Sequence, residues 1–443
     1  MNYIEVRNYI KEKEKLGSSF GTDSVKELLR RLDNPEKCAP AIHIAGTNGK
    51  GSIMAYVEET FVRTGMMVGR YISPTIYDYR ERWLKNKEWA SEEDVAWAIS
   101  IVAEATDGMV DEGLNSPTAF EIETAAAFVL FKKWKCDIML IECGMGGRLD
   151  ATNVLETDKL SVLAAISMDH MEVLGNSPRE IAKEKLGIVR DKSVLVTYPQ
   201  IPPVMMEIYS YCKEHNVKLI EADVADLIIN EESFYGSSFT YKGEDYEISI
   251  GGRYQIYNAI TAIEILKYFK DVCEEEIYSG LLTTRWEGRF TLVSSDPVTI
   301  IDGAHNEDAW LRLSNSLDKY FTNKKIVYII GVLADKEYEK MVDILGPSME
   351  YVYAVQSDSP RALPAKDLCK VFLDAGIKSE ACDTYDKDID CELSSFSENE
   401  VRVIYSIKKA QEMAKEKGLP LVIAGTLSIT GQAIRYFKSN MDI

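Results

Sequence analysis

No two of the eight cysteines (Cys38, Cys136, Cys143, Cys212, Cys273, Cys369, Cys382 and Cys391) stand at Cys-x-x-Cys spacing, and several lie inside apolar runs, as Cys143 does in IMLIECGMGG. They read as reduced packing residues, not as zinc ligands or disulfides. No apolar stretch approaches the roughly 18 residues that a membrane span requires. The N-terminal MNYIEVRNYIKEKEKLG alternates charge and has none of the apolar core of a secretory signal, so a cytoplasmic location is expected. Internal repeats and low-complexity tracts are absent. Positive charge is scarce: 51 Lys and Arg stand against 71 Asp and Glu, a formal net charge of −20. A general nucleic-acid binder would work against its own field, and an anionic ligand has to meet a local basic patch.

What is there is an ordinary globular composition, 46% hydrophobic and 28% charged over 443 residues, enough chain for two or three domains. From about residue 40 onward, short apolar runs alternate with amphipathic segments, the pattern of a parallel sheet flanked by helices. Strands are expected at 41–45, 67–73, 136–142, 160–167 and 193–198, and helices over 50–63, 119–134 and 178–189. FYGSSFTYKGEDYEISI (234–250) alternates like an antiparallel hairpin appended to that sheet. A second alternation begins near residue 298, with strands VTIID, KIVYIIGV, YVYAVQ and LPLVIAG, helices from Asp308 and Tyr338, and a short helix from Thr430. The expected fold class is α/β: an N-terminal P-loop-like, mostly parallel sheet flanked by helices, plus a smaller C-terminal Rossmann-like α/β domain, with the boundary in 290–298. The acidic DTYDKDIDCELSSFSENE (383–400) has no period and reads as a solvated loop.

The most informative stretch is HIAGTNGKGS (43–52), an apolar strand running into a glycine-rich turn and then a helix. In such a turn backbone N–H groups converge on an anion, the helix dipole favours it, and Lys50 adds a point charge. Ile44 stands where the standard phosphate loop has its first glycine, and Gly51 separates Lys50 from Ser52. A tight strand-to-helix turn with an exposed lysine is the plain alternative. In IECGMGGRLDATN (141–153) Glu142 closes a strand ahead of a glycine turn, where open α/β sheets bind ligands and a carboxylate suits Mg²⁺. A cap on the next element is the alternative there. His170, in SMDHMEVLG, follows a third strand, so Lys50, Glu142 and His170 converge on one sheet edge. Asp302, His305 and Asn306 in VTIIDGAHN follow a strand of the second alternation, as a site or as a turn.

Taken in order, GTNGKGS, YISP, ECGMGGRLDATN, the Asp-His pair, EKLGIV, Gln255 with Asn258 in GGRYQIYNA, WEGRF, DGAHN, ADK, SPRA and AGTLSITG run from about residue 17 to 435. The set resembles the folylpolyglutamate synthase and dihydrofolate synthase family of Mur-ligase-like, ATP-dependent amide ligases. Gly51 favours the folate branch, since the peptidoglycan ligases of the wider superfamily usually carry Thr there. The resemblance implies an ATP-binding Mur-ligase central-type domain over 1–295 and a glutamate-ligase-type domain over 296–443. It implies that Gly49, Lys50, Gly51 and Ser52 cradle the ATP phosphates, with Asn258, Arg289 and Asp302 completing the nucleotide site. Ser73, Glu142 and His170 would hold Mg²⁺, and Lys185 matches the family lysine that is carbamylated. Thr118, Arg148 and Asp150 would lie by the pterin-bearing substrate, and His305 and Thr426 by the incoming glutamate. The chain departs from the family pattern at Thr75 and Tyr254, each in place of a usual His, at Thr426 for Ser, and at Ser428 for Tyr.

The activity so implied is ligation of L-glutamate to dihydropteroate or a reduced folate through an acyl phosphate, yielding ADP and Pi, with Lys50, Lys185 and His305 as catalytic residues. The partners are small molecules, with no nucleic acid or membrane, and the chain would act as a monomer. Two rivals stay open at this point. One is a Mur-type amino-acid ligase acting on a peptidoglycan precursor, against which the WEGRF and DGAHN forms speak. The other is a non-catalytic ATP-binding switch, against which Glu142 and His170 together speak.

Overall fold

The computed structural model describes residues 1–17, 21–76, 78–156, 159–384 and 397–440. It divides into two compact units: Met1–Leu227 with Tyr241–Tyr246 and Tyr257–Thr284, and Ile228–Thr240 with Glu247–Ile256 and Arg285–Ile443. The first unit is built on eight strands: β1 (Ala41–Ala45), β2 (Val68–Tyr71), β3 (Trp83–Lys85), β4 (Glu88–Trp89), β5 (Ile138–Glu142), β6 (Lys159–Leu163), β7 (Val194–Thr197) and β8 (Lys218–Glu221). They lie in the order β4-β3-β2-β5-β1-β6-β7-β8. From β2 to β8 all neighbours are parallel, while β3 and β4 are antiparallel additions at one edge. Every residue of β1, β2 and β5 is buried, as expected of parallel strands covered on both faces, and the Arg70 that this places inside β2 is paired with Glu58 at 3.0 Å.

The stretch 234–250 does form a hairpin, through Lys242 and Gly243, but it is not part of the large sheet. Its strands, β10 (Gly236–Tyr241) and β11 (Glu244–Ile248), join β9 (Leu227–Ser233) in a separate sheet of order β11-β10-β9. The second unit carries β12 (Thr291–Ser295), β13 (Val298–Asp302), β14 (Ile326–Ile330), β15 (Met349–Ala354), β16 (Ser379–Ala381) and β17 (Leu421–Ala424), ordered β12-β13-β17-β14-β15-β16. Only β12 runs antiparallel within this sheet. Its core gathers Ile300, Trp310, Leu313, Tyr328, Ile330, Leu368, Phe372 and Val422, all nearly fully buried.

Helix limits follow the capping chemistry. The helix Ala119–Trp134 opens on a reciprocal Thr118–Glu121 box, and the helix Pro178–Leu186 opens on Ser177 and stops at Gly187, before the expected Val189. The last residues of the acidic segment are not loop: Ser397 and Glu400 form a capping box for the helix Glu398–Lys417. Residues 385–396 of that segment, Cys391 among them, lie outside the described residues. The helix Leu427–Asn440 begins before the expected Thr430, because the Thr426 hydroxyl accepts from the Ile429 N–H at 3.2 Å. The seven described cysteines are free thiols; five are buried, whereas Cys38 and Cys273 are exposed, the Cys38 thiol still meeting Met139 Sδ at 3.7 Å. Among the described residues no helix is long and apolar enough to cross a membrane.

Candidate active site

The strand order sets β2, β5, β1 and β6 side by side and parallel, so their C-terminal ends line one edge at about 4.8 Å spacing. Ser73 follows β2, Glu142 ends β5, the turn Gly46–Gly49 follows β1, and Asp169 and His170 lie downstream of β6. Segments more than a hundred residues apart in sequence thus supply one row of groups.

The turn after β1 is tied to the segment after β6. The Thr47 and Asn48 N–H groups both donate to the Ala165 carbonyl, at 2.7 and 3.2 Å, and the Thr47 hydroxyl donates to the Ser167 carbonyl. This is why β6 ends at Leu163 and not at the expected residue 167: the next carbonyls serve the turn. Gly49 has φ of +89°, and a Cβ there would stand 2.5 Å from Asn258 Oδ1. Both the backbone angle and the space demand glycine. The helix Lys50–Arg63 that follows has no side-chain N-cap, which leaves its first-turn N–H groups turned to whatever anion occupies the edge. Gly49→Ala is therefore expected to weaken ATP binding at least about tenfold and to lower stability by about 1–3 kcal/mol, measured by calorimetric titration with ADP and by thermal unfolding.

Lys50 is mostly buried, contrary to the exposed-lysine alternative. Its Nζ donates to the Gly46 carbonyl at 3.1 Å and stands 3.6 Å from Glu142 Oε1. Lys185 Nζ donates to the same Gly46 carbonyl at 3.0 Å. Lys185 is buried, and that burial, with the Lys50 charge adding to it, pushes its ammonium down to about 8. Asp169 acts in the opposite direction on Lys185. The helix bearing Lys185 is held against the loop after β5: the Arg148 N–H donates to the Glu184 carbonyl at 2.9 Å, and a Cβ on Gly147 would meet that carbonyl oxygen at 2.6 Å.

In that loop Asp150 accepts from the N–H groups of Met145 and Thr152 and from the Thr152 hydroxyl, and burial pushes its carboxyl up. Thr152 in turn meets His43 Nε2 at 2.8 Å inside β1. Asp150 thus shapes the loop from within. Arg148 is exposed and pairs with Glu184 at 3.1 Å. Thr118 is buried as the N-cap of its helix, its hydroxyl donating to Glu121 Oε2 at 2.9 Å. His170 is exposed, with φ of +49°, and its Nε2 lies 4.0 Å from Asp169. Among the described residues no group of three or more His, Cys, Asp and Glu side chains is spaced to hold a metal. The Ser73 hydroxyl and the Glu142 carboxylate are hard oxygen donors on neighbouring strand ends, which fits Mg²⁺ held by one carboxylate and substrate phosphates better than a closed protein cage.

In the second unit the DGAHN motif divides its labour. Asp302 is buried at the end of β13; Oδ2 accepts from the Tyr254 hydroxyl and the Phe290 N–H, and Oδ1 from the Ala304 N–H, each at 2.8 Å. Burial pushes its carboxyl up against these donors and Arg289. Asn306 caps the helix Glu307–Tyr320. His305 is half-buried, its Nδ1 2.7 Å from the Gly303 carbonyl. Arg289 lies against Gly303, where a Cβ would stand 2.2 Å from Nη1. Thr426, buried, caps the helix after β17.

The Mur ligase middle domain family matches residues 44–266, and the Mur ligase glutamate ligase domain family matches residues 288–407. The dihydrofolate synthase/folylpolyglutamate synthase of Bacillus subtilis is 34% identical over 83% of this chain and 88% of its own length. This chain belongs to the folylpolyglutamate synthase and dihydrofolate synthase family. A folylpolyglutamate synthase structure from Thermotoga maritima is 27% identical, covers 99% of this chain and 97% of that one, and superposes with a TM-score of 0.81. That of Mycobacterium tuberculosis, complexed with ADP and AMPPCP, has a TM-score of 0.85 at 24% identity over 99% of this chain and 98% of that one, and shares the fold. Within this folylpolyglutamate synthase-type scaffold, the hydrogen bond of Tyr254 to Asp302 and the electrostatic pull of Asp169 on Lys185 are interactions that motif spacing does not reveal.

Proposed function

We propose that this chain joins L-glutamate to a folate-type carboxylate with ATP as the energy source, accepting dihydropteroate as well as a reduced folate. The observation that carries the reading is the convergence of Lys50, Lys185 and Glu142 on the glycine turn after β1. The turn N–H groups and Lys50 hold the ATP phosphates with Gly49, Gly51 and Ser52. Asn258 braces Gly49, Arg289 contacts the nucleotide, and Asp302 shapes the turn beside Arg289. A folate carboxylate oxygen bonds to the γ-phosphorus as the bond to ADP breaks, and the Lys50 ammonium balances the charge spread over the transferring group. The glutamate amine then attacks the acyl carbon, Pi leaves, and an amide remains. His305 and Thr426 face the glutamate; Thr118, Arg148 and Asp150 shape the pterin side.

Mg²⁺ held by Ser73, Glu142 and His170 would add charge neutralisation at the phosphates. Lys185, with its ammonium pushed down to about 8, has a neutral fraction able to react with CO₂; the amine nitrogen bonds to carbon and one proton is released, leaving a carbamate. The chain acts as a cytoplasmic monomer in this reading. The test is ADP release from ATP with dihydropteroate or tetrahydrofolate, each with and without L-glutamate. Release is expected with either pterin and only when glutamate is present. Release with tetrahydrofolate alone among the two would remove the dihydrofolate synthase half, and glutamate-independent release in every arm would leave only an ATPase.

A further inference from the structure

The Asp302 carboxylate takes three donors and can offer little to a ligand, yet Arg289 beside it is differently placed. Its Nη1 donates to the Gly288 carbonyl at 3.1 Å, and among the described residues it makes no ion pair. A guanidinium has five N–H donors, so most of its capacity is left over. An arginine next to a buried aspartate ordinarily closes a bidentate ion pair with it. Here the carboxylate is saturated from other directions, by two backbone N–H groups and the Tyr254 hydroxyl. The backbone donors are Ala304, in the turn after β13, and Phe290, just before β12; the phenol is the one side-chain contribution. Tyr254 is well placed for it: its ring packs against Gly252, where a Cβ would stand 2.8 Å from the ring, and Gly252 donates to the Tyr320 hydroxyl at 3.2 Å.

We propose that Tyr254 is a positioning residue: by occupying Asp302 Oδ2 it keeps the carboxylate from pairing with Arg289, and so holds the guanidinium available for an anionic phosphate group. The proposal rests on the reading of Arg289 as a nucleotide contact, and goes beyond it in assigning Tyr254. In Tyr254→Phe the ring packing stays and one donor is lost; Oδ2 then has a lone pair that attracts Arg289, whose charge already acts on this carboxylate, and the guanidinium is drawn off the ligand. The KM for ATP and the Kd for ADP, the latter by calorimetric titration, are expected to rise about tenfold, the effect of one charge-assisted hydrogen bond, while kcat at saturating ATP stays within about twofold. In an Arg289→Ala background the same substitution is expected to change neither constant, since the group it acts through is gone.

A Tyr254→Phe effect of equal size in both backgrounds would mark general loosening of the turn and overturn the proposal. So would unchanged constants in Tyr254→Phe alongside raised ones in Arg289→Ala. Unchanged constants in Arg289→Ala alone would instead remove the nucleotide role of Arg289, and the proposal with it.

Discussion

Replacing Lys50 by alanine is expected to cut glutamate-dependent ADP release about a thousandfold while the protein still folds. The lysine stands at the first position of its helix, its ammonium on the Gly46 carbonyl and 3.6 Å from Glu142. Charge that develops on a transferring phosphoryl group at this edge meets the fixed cation that this side chain supplies. The stability effect is small because two terms oppose: the substitution takes a counter-charge from the mostly buried Glu142, but it also relieves the repulsion between two ammonium groups that share one carbonyl. Turnover is read by ADP release and folding by thermal unfolding, and near-wild-type turnover would sink the phosphate-cradle reading. Losing the Lys50 charge also lets the Lys185 ammonium rise from about 8, since that charge is one of the causes holding it down.

Lys185→Ala is expected to lose about a hundredfold or more in turnover and to be partly rescued by short carboxylic acids, while Lys183→Ala, exposed on the same helix, is nearly neutral. A carbamate would replace a buried cation beside Lys50 by an anion with two oxygens, reversing the repulsion and offering acceptors to the metal side of the edge. A carboxylic acid entering the space left by alanine mimics that anion. Burial leaves a direct signature too. In CO₂-free buffer the folded Lys185 sits near 8 and the unfolded one near 10.5, so the unfolded chain binds more protons between these values. Stability from this group is lowered below about pH 8 and recovered, by about 3 kcal/mol, as the pH rises from 8 to 10.5. Added bicarbonate should flatten that rise in wild type and leave Lys185→Ala untouched, with isotopically labelled bicarbonate reporting the carbamate by NMR. Full activity of Lys185→Ala would end the idea.

The α/β class, the helices Lys50–Arg63 and Ala119–Trp134, and β1 were readable to the residue, because apolar runs covered on both faces and capping boxes are local signals. The antiparallel strands β3 and β4 and the edge strand β8 are too short to show a period and went unread, as did the helix Glu92–Asp111. The same locality explains the candidate site. A glycine at 49 and a lysine at 50 after an apolar strand left a phosphate turn and a plain strand-to-helix turn both open; the motif order determined the family. Which side chains do the holding was a matter of tertiary structure. Thr118 and Thr426 prove to be helix caps, Asp150 and Asp302 internal braces, and Lys50 a mostly buried cation, since each role depends on backbone donors and strand ends brought together from distant segments. The pairing of Lys50 with Lys185 on one carbonyl, and of Tyr254 with Asp302, joins residues separated by 135 and 48 positions. Only the parallel strand order and the packing of loop on helix could place such residues within hydrogen-bond reach, because hydrogen bonds and desolvation act over a few ångströms of space whatever the distance along the chain.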